Sequence, residues 1–168
     1  MSRISKSVET PTGPVILTEE DGSIVRVTWA RVTWERGKTA PDFPETSPLL
    51  DRAAEQITAY FAGDLQAFDL PLKPAGSDFQ RAVWREMLRI PYGETRSYGD
   101  LAKATGGVAR AVGGACGANP IPIVIPCHRV LAADRALGGF SGGRGAETKA
   151  ELLTLEGAWP IQHGFSFG

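Results

Sequence analysis

Residues 97–118 read SYGDLAKATGGVARAVGGACGA. Ser97 and Asp100 have the spacing of a capping box, in which two side chains cap each other's backbone amides, so we predict a short helix ending near Ala104. A glycine-containing turn follows, and the next run predicts a second helix from Val108 to Ala118. Two short helices joined by a tight turn are typical of a helix-turn-helix, although many domains that bind no DNA also contain them.

The second predicted helix consists almost wholly of small residues, with Arg110 as its only charge. Three glycines disfavour a helix unless another surface approaches closely, and that surface would be a neighbouring helix or a nucleic-acid groove. A helix that reads base edges displays Arg, Asn or Gln, so DNA binding here would proceed without sequence preference. Arg110 would then suit the space that a displaced base leaves in the stack.

Away from this helix pair the chain divides at Pro74-Ala75-Gly76. Strand signals dominate before that point, with Asp21-Gly22 as the turn of a hairpin, and capped helices dominate after it. The predicted strands lie at 14–18, 24–29, 31–34 and 68–72, and the predicted helices at 49–61, 77–88 and 146–155. Ser77 and Gln80 have the spacing of a second capping box, at the start of the helix 77–88. We therefore predict an α+β fold, with a small N-terminal α/β unit over residues 1–75 and a mainly helical unit over residues 76–168.

Composition excludes several classes of protein. The 168 residues contain no apolar run of about 18 residues and no signal peptide, so we expect a cytoplasmic protein that does not bind a membrane. Two cysteines without a Cys-x-x-Cys spacing predict free thiols and no metal site. The net charge is −1, but residues 77–131 carry seven basic and four acidic side chains, so any DNA contact belongs to that part.

Residues 119–130, NPIPIVIPCHRV, carry the strongest chemical signal. An apolar, proline-stiffened, strand-like run delivers Cys127 and His128 to its end. A cysteine acts as a nucleophile as its thiolate, so it needs a base or a positive environment, for which His128 and Arg129 are candidates. Neighbouring side chains do not face each other, so we expect a water between Cys127 and His128, and we choose Glu156 as the carboxylate that orients the histidine.

The segment Pro126-Cys127-His128-Arg129-Val130, preceded by Asn119-Pro120 and the small-residue helix, resembles the signature of the O6-alkylguanine-DNA alkyltransferase family. The resemblance covers about residues 77–157. It implies a ribonuclease H-like first unit and a winged-helix-like second unit. It also implies a monomer without a cofactor, which binds double-stranded DNA containing O6-alkylguanine through the minor groove. Such a protein takes the alkyl group of O6-alkylguanine, or that of O4-alkylthymine, in a single irreversible reaction.

The resemblance implies a role for each matching residue. Cys127 would accept the alkyl group, His128 would act through water as its base, and Glu156 would polarise His128. Asn119 would brace the turn that holds the cysteine, and Tyr98 would help to rotate the nucleotide and protonate the departing guanine. The implied substrate-binding and DNA-binding residues are Arg110, Cys116, Pro122, Val130, Phe140, Ser141 and Lys149.

Two positions depart from the family pattern. Phe140 stands where some members have tyrosine, so one pocket hydroxyl is missing, and Cys116 stands where others have asparagine or methionine. Two rival functions stay open at this point: a lesion-sensing DNA-binding protein without repair activity, and a thiol enzyme that uses Cys127 with Cys116. The acceptor cysteine argues against the first rival, and the small-residue helix argues against the second.

Overall fold

The computed structural model describes residues 3–30 and 43–159, so the strand predicted at 31–34 lies outside the described residues. The chain forms two compact units. The first contains the residues up to Gly76 together with Pro120–Val124, and the second contains Ser77–Asn119 and the residues from Ile125 onward. A small sheet in the first unit and a mainly helical second unit confirm the predicted α+β fold.

The first unit is built on a three-stranded antiparallel sheet. Its strands are β1 (Arg3–Val8), β2 (Val15–Glu20) and β3 (Ser23–Trp29), in the order β1-β2-β3. The predicted hairpin is β2–β3, and both turn residues, Asp21 and Gly22, have positive φ angles of 50° and 78°, as a two-residue hairpin turn requires. The sequence did not predict β1, because its residues are mostly polar or half-buried.

The strand predicted at 68–72 is wrong except at its last residue. Only Leu72 forms a bridge, in parallel with Ile24. The Ile24 amide donates to the Pro71 carbonyl at 2.8 Å, and the Lys73 amide donates to the Ile24 carbonyl at 2.9 Å. Pro71 and Pro74 have no amide hydrogen, so the ladder cannot continue in either direction.

The helix α1 (Pro48–Phe61) packs on β1 and β2. Ser47 caps its first turn by accepting a hydrogen bond from the Leu50 amide at 3.0 Å, and Pro48 occupies the first helical position, where a missing amide hydrogen costs nothing. Leu50, Ile57 and Tyr60 form its fully buried face.

The second unit contains α2 (Asp78–Met87), α3 (Tyr98–Thr105), α4 (Ala109–Gly117) and α5 (Ala146–Leu155). Both predicted capping boxes are present, at the starts of α2 and α3. A short parallel pairing joins β4 (Arg96–Ser97) to β5 (Val130–Leu131). The helices α2, α3 and α4 pack together, and the buried Trp84 indole donates to the Ala115 carbonyl at 2.8 Å, which ties α2 to α4. No helix among the described residues is long and apolar enough to span a bilayer.

The strand-like run before Cys127 is not a strand. Residues 120–125 form bends and turns, and Ile123 has a φ of 74°, which is unusual for a β-branched residue. Proline at 120, 122 and 126 removes the amide donors that a ladder needs. Instead, the Pro120 carbonyl accepts from the Val27 amide of β3 at 2.9 Å, which places this part of the segment in the first unit.

Candidate active site

Cys127, His128 and Arg129 form a single 3-10 turn between Pro126 and β5, and all three are buried. The turn is held by two hydrogen bonds to one carbonyl just before the cysteine. The Asn119 side-chain amide donates to the Ile125 carbonyl at 2.8 Å, and the Cys127 amide donates to the same carbonyl at 2.8 Å. Asn119 therefore connects the end of α4 to the residues that present the thiol.

His128 and Arg129 both bind Glu156, which follows the last residue of α5. His128 Nε2 lies 2.7 Å from Glu156 Oε2, and the side chains of both residues are fully buried. Arg129 donates through Nε to Oε1 at 2.7 Å and through Nη2 to Oε2 at 3.0 Å, a bidentate pair. Its Nη1 donates to the Ile90 carbonyl at 2.7 Å. Glu156 is thus fixed by an arginine and in turn fixes the histidine.

The network determines the protonation state of His128. Burial lowers the pKa of His128 below its ordinary value, against the opposing effect of the Glu156 carboxylate. A neutral imidazole next to an ionised carboxylate carries its hydrogen on Nε2, where the carboxylate accepts it. The buried Nδ1 is then a lone-pair acceptor, and it has no hydrogen-bond partner among the described residues. A buried, unpaired imidazole nitrogen is a group that can accept a proton.

Cys127 is 7% exposed, and burial raises the pKa of its thiol. A hydrogen bond from Asn119 and the positive charge of Lys149 act in the opposite direction. Arg129 was one predicted source of positive charge for the thiol. Arg129 is instead paired with Glu156, so that expectation is wrong.

Cys127 borders a pocket of about 500 Å³ within the second unit. The pocket is lined by Tyr98, Gly113, Cys116, Gly117, Cys127, Gly139, Phe140 and Ser141. Most of this lining is apolar or glycine, which suits a flat aromatic ligand better than a charged one. The Ser141 hydroxyl, on the exposed side, donates to the Gly117 carbonyl at 3.3 Å.

Tyr98, the first residue of α3, reaches the pocket from a half-buried position. Burial, followed by the nearby Cys116 and Cys127 thiols, raises the pKa of Tyr98 to about 12, so the phenol keeps its proton at neutral pH. The hydroxyl packs closely on Gly138, where an added β-carbon would come within 2.9 Å of the oxygen. Tyr98 is therefore a phenolic hydrogen-bond donor held in one place.

The predicted site residues fall into three groups. Four line the pocket with Cys127: Tyr98, Cys116, Phe140 and Ser141. Five lie behind it or in its supporting network: Asn119, His128, Val130, Lys149 and Glu156. Two lie elsewhere: Arg110 is exposed on α4, and Pro122 is buried in the segment 120–124, which belongs to the first unit.

Two features of the site were not predicted from the sequence. Arg129 had no predicted structural role, and the only available signal was its place beside a histidine expected to bind a carboxylate. The glycines of α4 are open, because an added β-carbon at Gly113, Gly114 or Gly117 would meet nothing within 4 Å. These glycines are therefore not required for packing within the described residues.

No cluster of three or more His, Cys, Asp or Glu side chains suitable for a metal ion exists in residues 3–30 and 43–159. Both cysteines are free thiols. The reactive groups at the pocket are therefore two cysteines and a phenol, with an imidazole and a lysine behind them.

Comparison with known proteins gives matches over both units. The family described as 6-O-methylguanine DNA methyltransferase matches through its ribonuclease-like domain at residues 5–74 and its DNA binding domain at residues 78–158. A methylated-DNA–protein-cysteine methyltransferase of Mycolicibacterium paratuberculosis is 45% identical over 153 residues, covering 90% of this chain and 90% of that protein.

Solved structures agree with these matches. The crystal structure of Mycobacterium tuberculosis O6-methylguanine methyltransferase has a TM-score of 0.78 and 40% identity, and the match covers 94% of each chain. That of Mycobacterium tuberculosis OGT in complex with DNA has a TM-score of 0.77 and 42% identity, and covers 92% of each chain. The first-unit match confirms the expected ribonuclease-like fold. The chain therefore belongs to the 6-O-methylguanine DNA methyltransferase family.

Proposed function

We propose that this chain repairs DNA by moving an alkyl group from the O6 atom of guanine, or the O4 atom of thymine, to the sulfur of Cys127. Family membership establishes the class of reaction, methyl transfer from DNA to a protein cysteine. One observation carries the assignment to Cys127: its thiol borders the pocket while the next residue, His128, is held by Glu156 with a free basic nitrogen.

Activation of the thiol begins at Glu156. The carboxylate accepts the Nε2 hydrogen of His128, so Nδ1 can take the proton of the Cys127 thiol through a bridging water. The positive charge that forms on the imidazole is stabilised by the same carboxylate. Arg129 holds that carboxylate in its ionised form by two hydrogen bonds.

Transfer is a displacement at the alkyl carbon. A bond forms between the Cys127 sulfur and that carbon, the bond from the carbon to the base oxygen breaks, and its electron pair passes to the guanine. Tyr98 donates a proton to the base as negative charge develops there. Because the pKa of Tyr98 is high, the phenol gives up its proton only while that charge forms. The product is a thioether, which no group in the pocket can cleave, so each molecule reacts once.

The base must leave the duplex to reach a buried thiol, at a cost of a few kcal/mol. We assign α4 to the minor groove, because its open glycines let a backbone approach closely and its exposed Arg110 forms no hydrogen bond or ion pair among the described residues that would compete. Arg110 then occupies the space that the base vacates. Small side chains carry no base-reading groups, so binding is independent of sequence, and we expect a monomer to be sufficient.

Replacing Gly114 by alanine tests this assignment. Gly114 lies inside α4 and its added methyl group would meet nothing, so the substitution should stabilise the free protein by about 1 kcal/mol. The same methyl group would stand between α4 and the groove, so affinity for duplex DNA should fall. Thermal unfolding and fluorescence anisotropy measure the two effects.

A contrasting variant is Gly107→Ala, just before α4, where the new carbon would lie 2.7 Å from the Phe79 ring. That variant should lose stability instead of gaining it. If Gly114→Ala binds DNA as tightly as the unmodified protein, α4 does not face the groove.

The proposed function itself is tested by intact-protein mass spectrometry. Incubation with a duplex containing one O6-methylguanine should add one methyl group per molecule, and peptide mapping should place it on Cys127 and not on Cys116. An undamaged duplex of the same sequence is the control. Tight lesion binding without a mass gain would support a lesion sensor, and neither binding nor gain would support a thiol enzyme.

A further inference from the structure

Lys149 is the least expected residue in the second unit, because its side chain is fully buried. Lysine is almost never fully buried unless its charge is compensated. The Nζ atom donates to the Val130 carbonyl at 2.7 Å and to the Gly139 carbonyl at 3.3 Å. No carboxylate pairs with Lys149 among the described residues, so two backbone carbonyls are its only hydrogen-bond partners there.

The position of this ammonium group points to its missing partner. Val130 is three residues after Cys127, and Gly139 lines the pocket together with Cys127. The Nζ atom also lies 5.7 Å from the centre of the Tyr98 ring, another wall of the pocket. Lys149 is thus anchored against two residues, Gly139 and Tyr98, that line the pocket together with Cys127.

We propose that the Lys149 ammonium is the buried counter-ion of the Cys127 thiolate. Lys149 is then a positioning residue, which acts on the transfer reaction through the charge of Cys127. The inference rests on the proposed role of Cys127 as acceptor. A thiolate on a side chain that is only 7% exposed has little water around it, so its charge has to be compensated by the protein. His128 removes the proton, and Lys149 stabilises the anion that remains.

Every titratable neighbour of Lys149 bears on this inference. Tyr98 faces it from α3, Cys116 from α4, and Cys127 and His128 from the 3-10 turn. The lysine charge lowers the pKa of both thiols and of His128, and burial lowers the pKa of Lys149 while the two thiolates raise it. Cys127 and Lys149 therefore each favour the ionised form of the other, and a positive lysine also helps to keep His128 neutral.

The decisive experiment titrates one thiol without DNA. Cys116→Ser leaves Cys127 as the chain's only cysteine, and the ultraviolet absorbance of its thiolate then reports its ionisation directly, with Cys116→Ser/Cys127→Ser as the blank. Adding Lys149→Met, which keeps the length but removes the charge, should raise the midpoint by about one pH unit or more. Adding Lys149→Arg, which keeps the charge, should leave the midpoint close to that of the background.

Coincident curves for the background and Lys149→Met would overturn the proposal. So would equal shifts in the Met and Arg variants, because that result would indicate packing and not charge. If Lys149→Met does not fold, the reciprocal effect can be measured by NMR titration of the lysine side chain with Cys127→Ser. Lys149 should hold its proton to higher pH in the unmodified protein than in that variant, and equal titrations would refute the idea.

Transfer kinetics separate this proposal from the proposed function. With a methylated duplex, Lys149→Met should react about tenfold more slowly near neutral pH for each pH unit by which the thiol midpoint rises, and should recover at alkaline pH. A rate reduced equally at every pH would show a structural role only. If no variant transfers a methyl group but the thiol midpoint still shifts, the proposed function fails and the counter-ion role stands.

Discussion

Cys127→Ser should not gain a methyl group from a duplex containing O6-methylguanine. The serine hydroxyl keeps the size of the side chain but holds its proton far more tightly than a thiol, and His128 is too weak a base to remove it. The variant should still fold and bind the damaged duplex, because the pocket and α4 are unchanged. Intact-protein mass and gel-shift measurements on the same samples test both statements.

The matched control is Cys116→Ser, which alters the other thiol in the same pocket. Burial raises the pKa of Cys116 to about 12, and no base is fixed beside it as His128 is beside Cys127, so Cys116 is not expected to be an acceptor. Cys116→Ser should therefore gain one full methyl group. A methyl group on Cys127→Ser, or none on Cys116→Ser, would contradict the assignment of the acceptor.

Arg129→Met should destabilise the protein by about 3–5 kcal/mol, because it leaves the Glu156 carboxylate buried without its bidentate partner. It also removes the hydrogen bond to the Ile90 carbonyl after α2. Urea unfolding followed by tryptophan fluorescence gives the change in free energy. Any variant that still folds should transfer slowly, because Glu156 no longer orients His128.

Arg144→Met is the control for that measurement. Arg144 also pairs with two carboxylates, those of Glu147 and Glu151, but its side chain is 62% exposed. Exposed pairs contribute only about 0–1 kcal/mol. Similar losses for the two substitutions would mean that the buried network does not stabilise the second unit more than a surface pair does.

Local signals in the sequence predicted the helices of the second unit well. The capping boxes at Ser77 and Ser97 span four residues each, so their geometry is fixed by neighbours along the chain, and both are present. The same applies to the β2–β3 hairpin, whose turn is determined by Asp21 and Gly22. Such short-range patterns predict local structure well because contacts with distant residues seldom override them.

Features that depend on distant residues were less predictable. Arg129 and Glu156 are 27 residues apart, and no local pattern distinguishes an arginine that binds a buried carboxylate from one that faces a thiol. The apolar run before Cys127 has the composition of a strand, but its prolines and a left-handed Ile123 bend it back into the first unit. The burial of Lys149 likewise depends on two carbonyls, those of Val130 in β5 and of Gly139 beside the pocket.

The burial of Cys127 also bears on how many active molecules of such a protein a cell would retain. A molecule that reacts once is a reagent, so repair capacity equals the number of intact acceptors and not a turnover rate. Each thiol lost to a stray electrophile would be a lesion left unrepaired. A cysteine that is 7% exposed is shielded from most such losses, while a flipped base can still reach it through the pocket. Burial of the thiol thus preserves the limited number of molecules that can still accept an alkyl group.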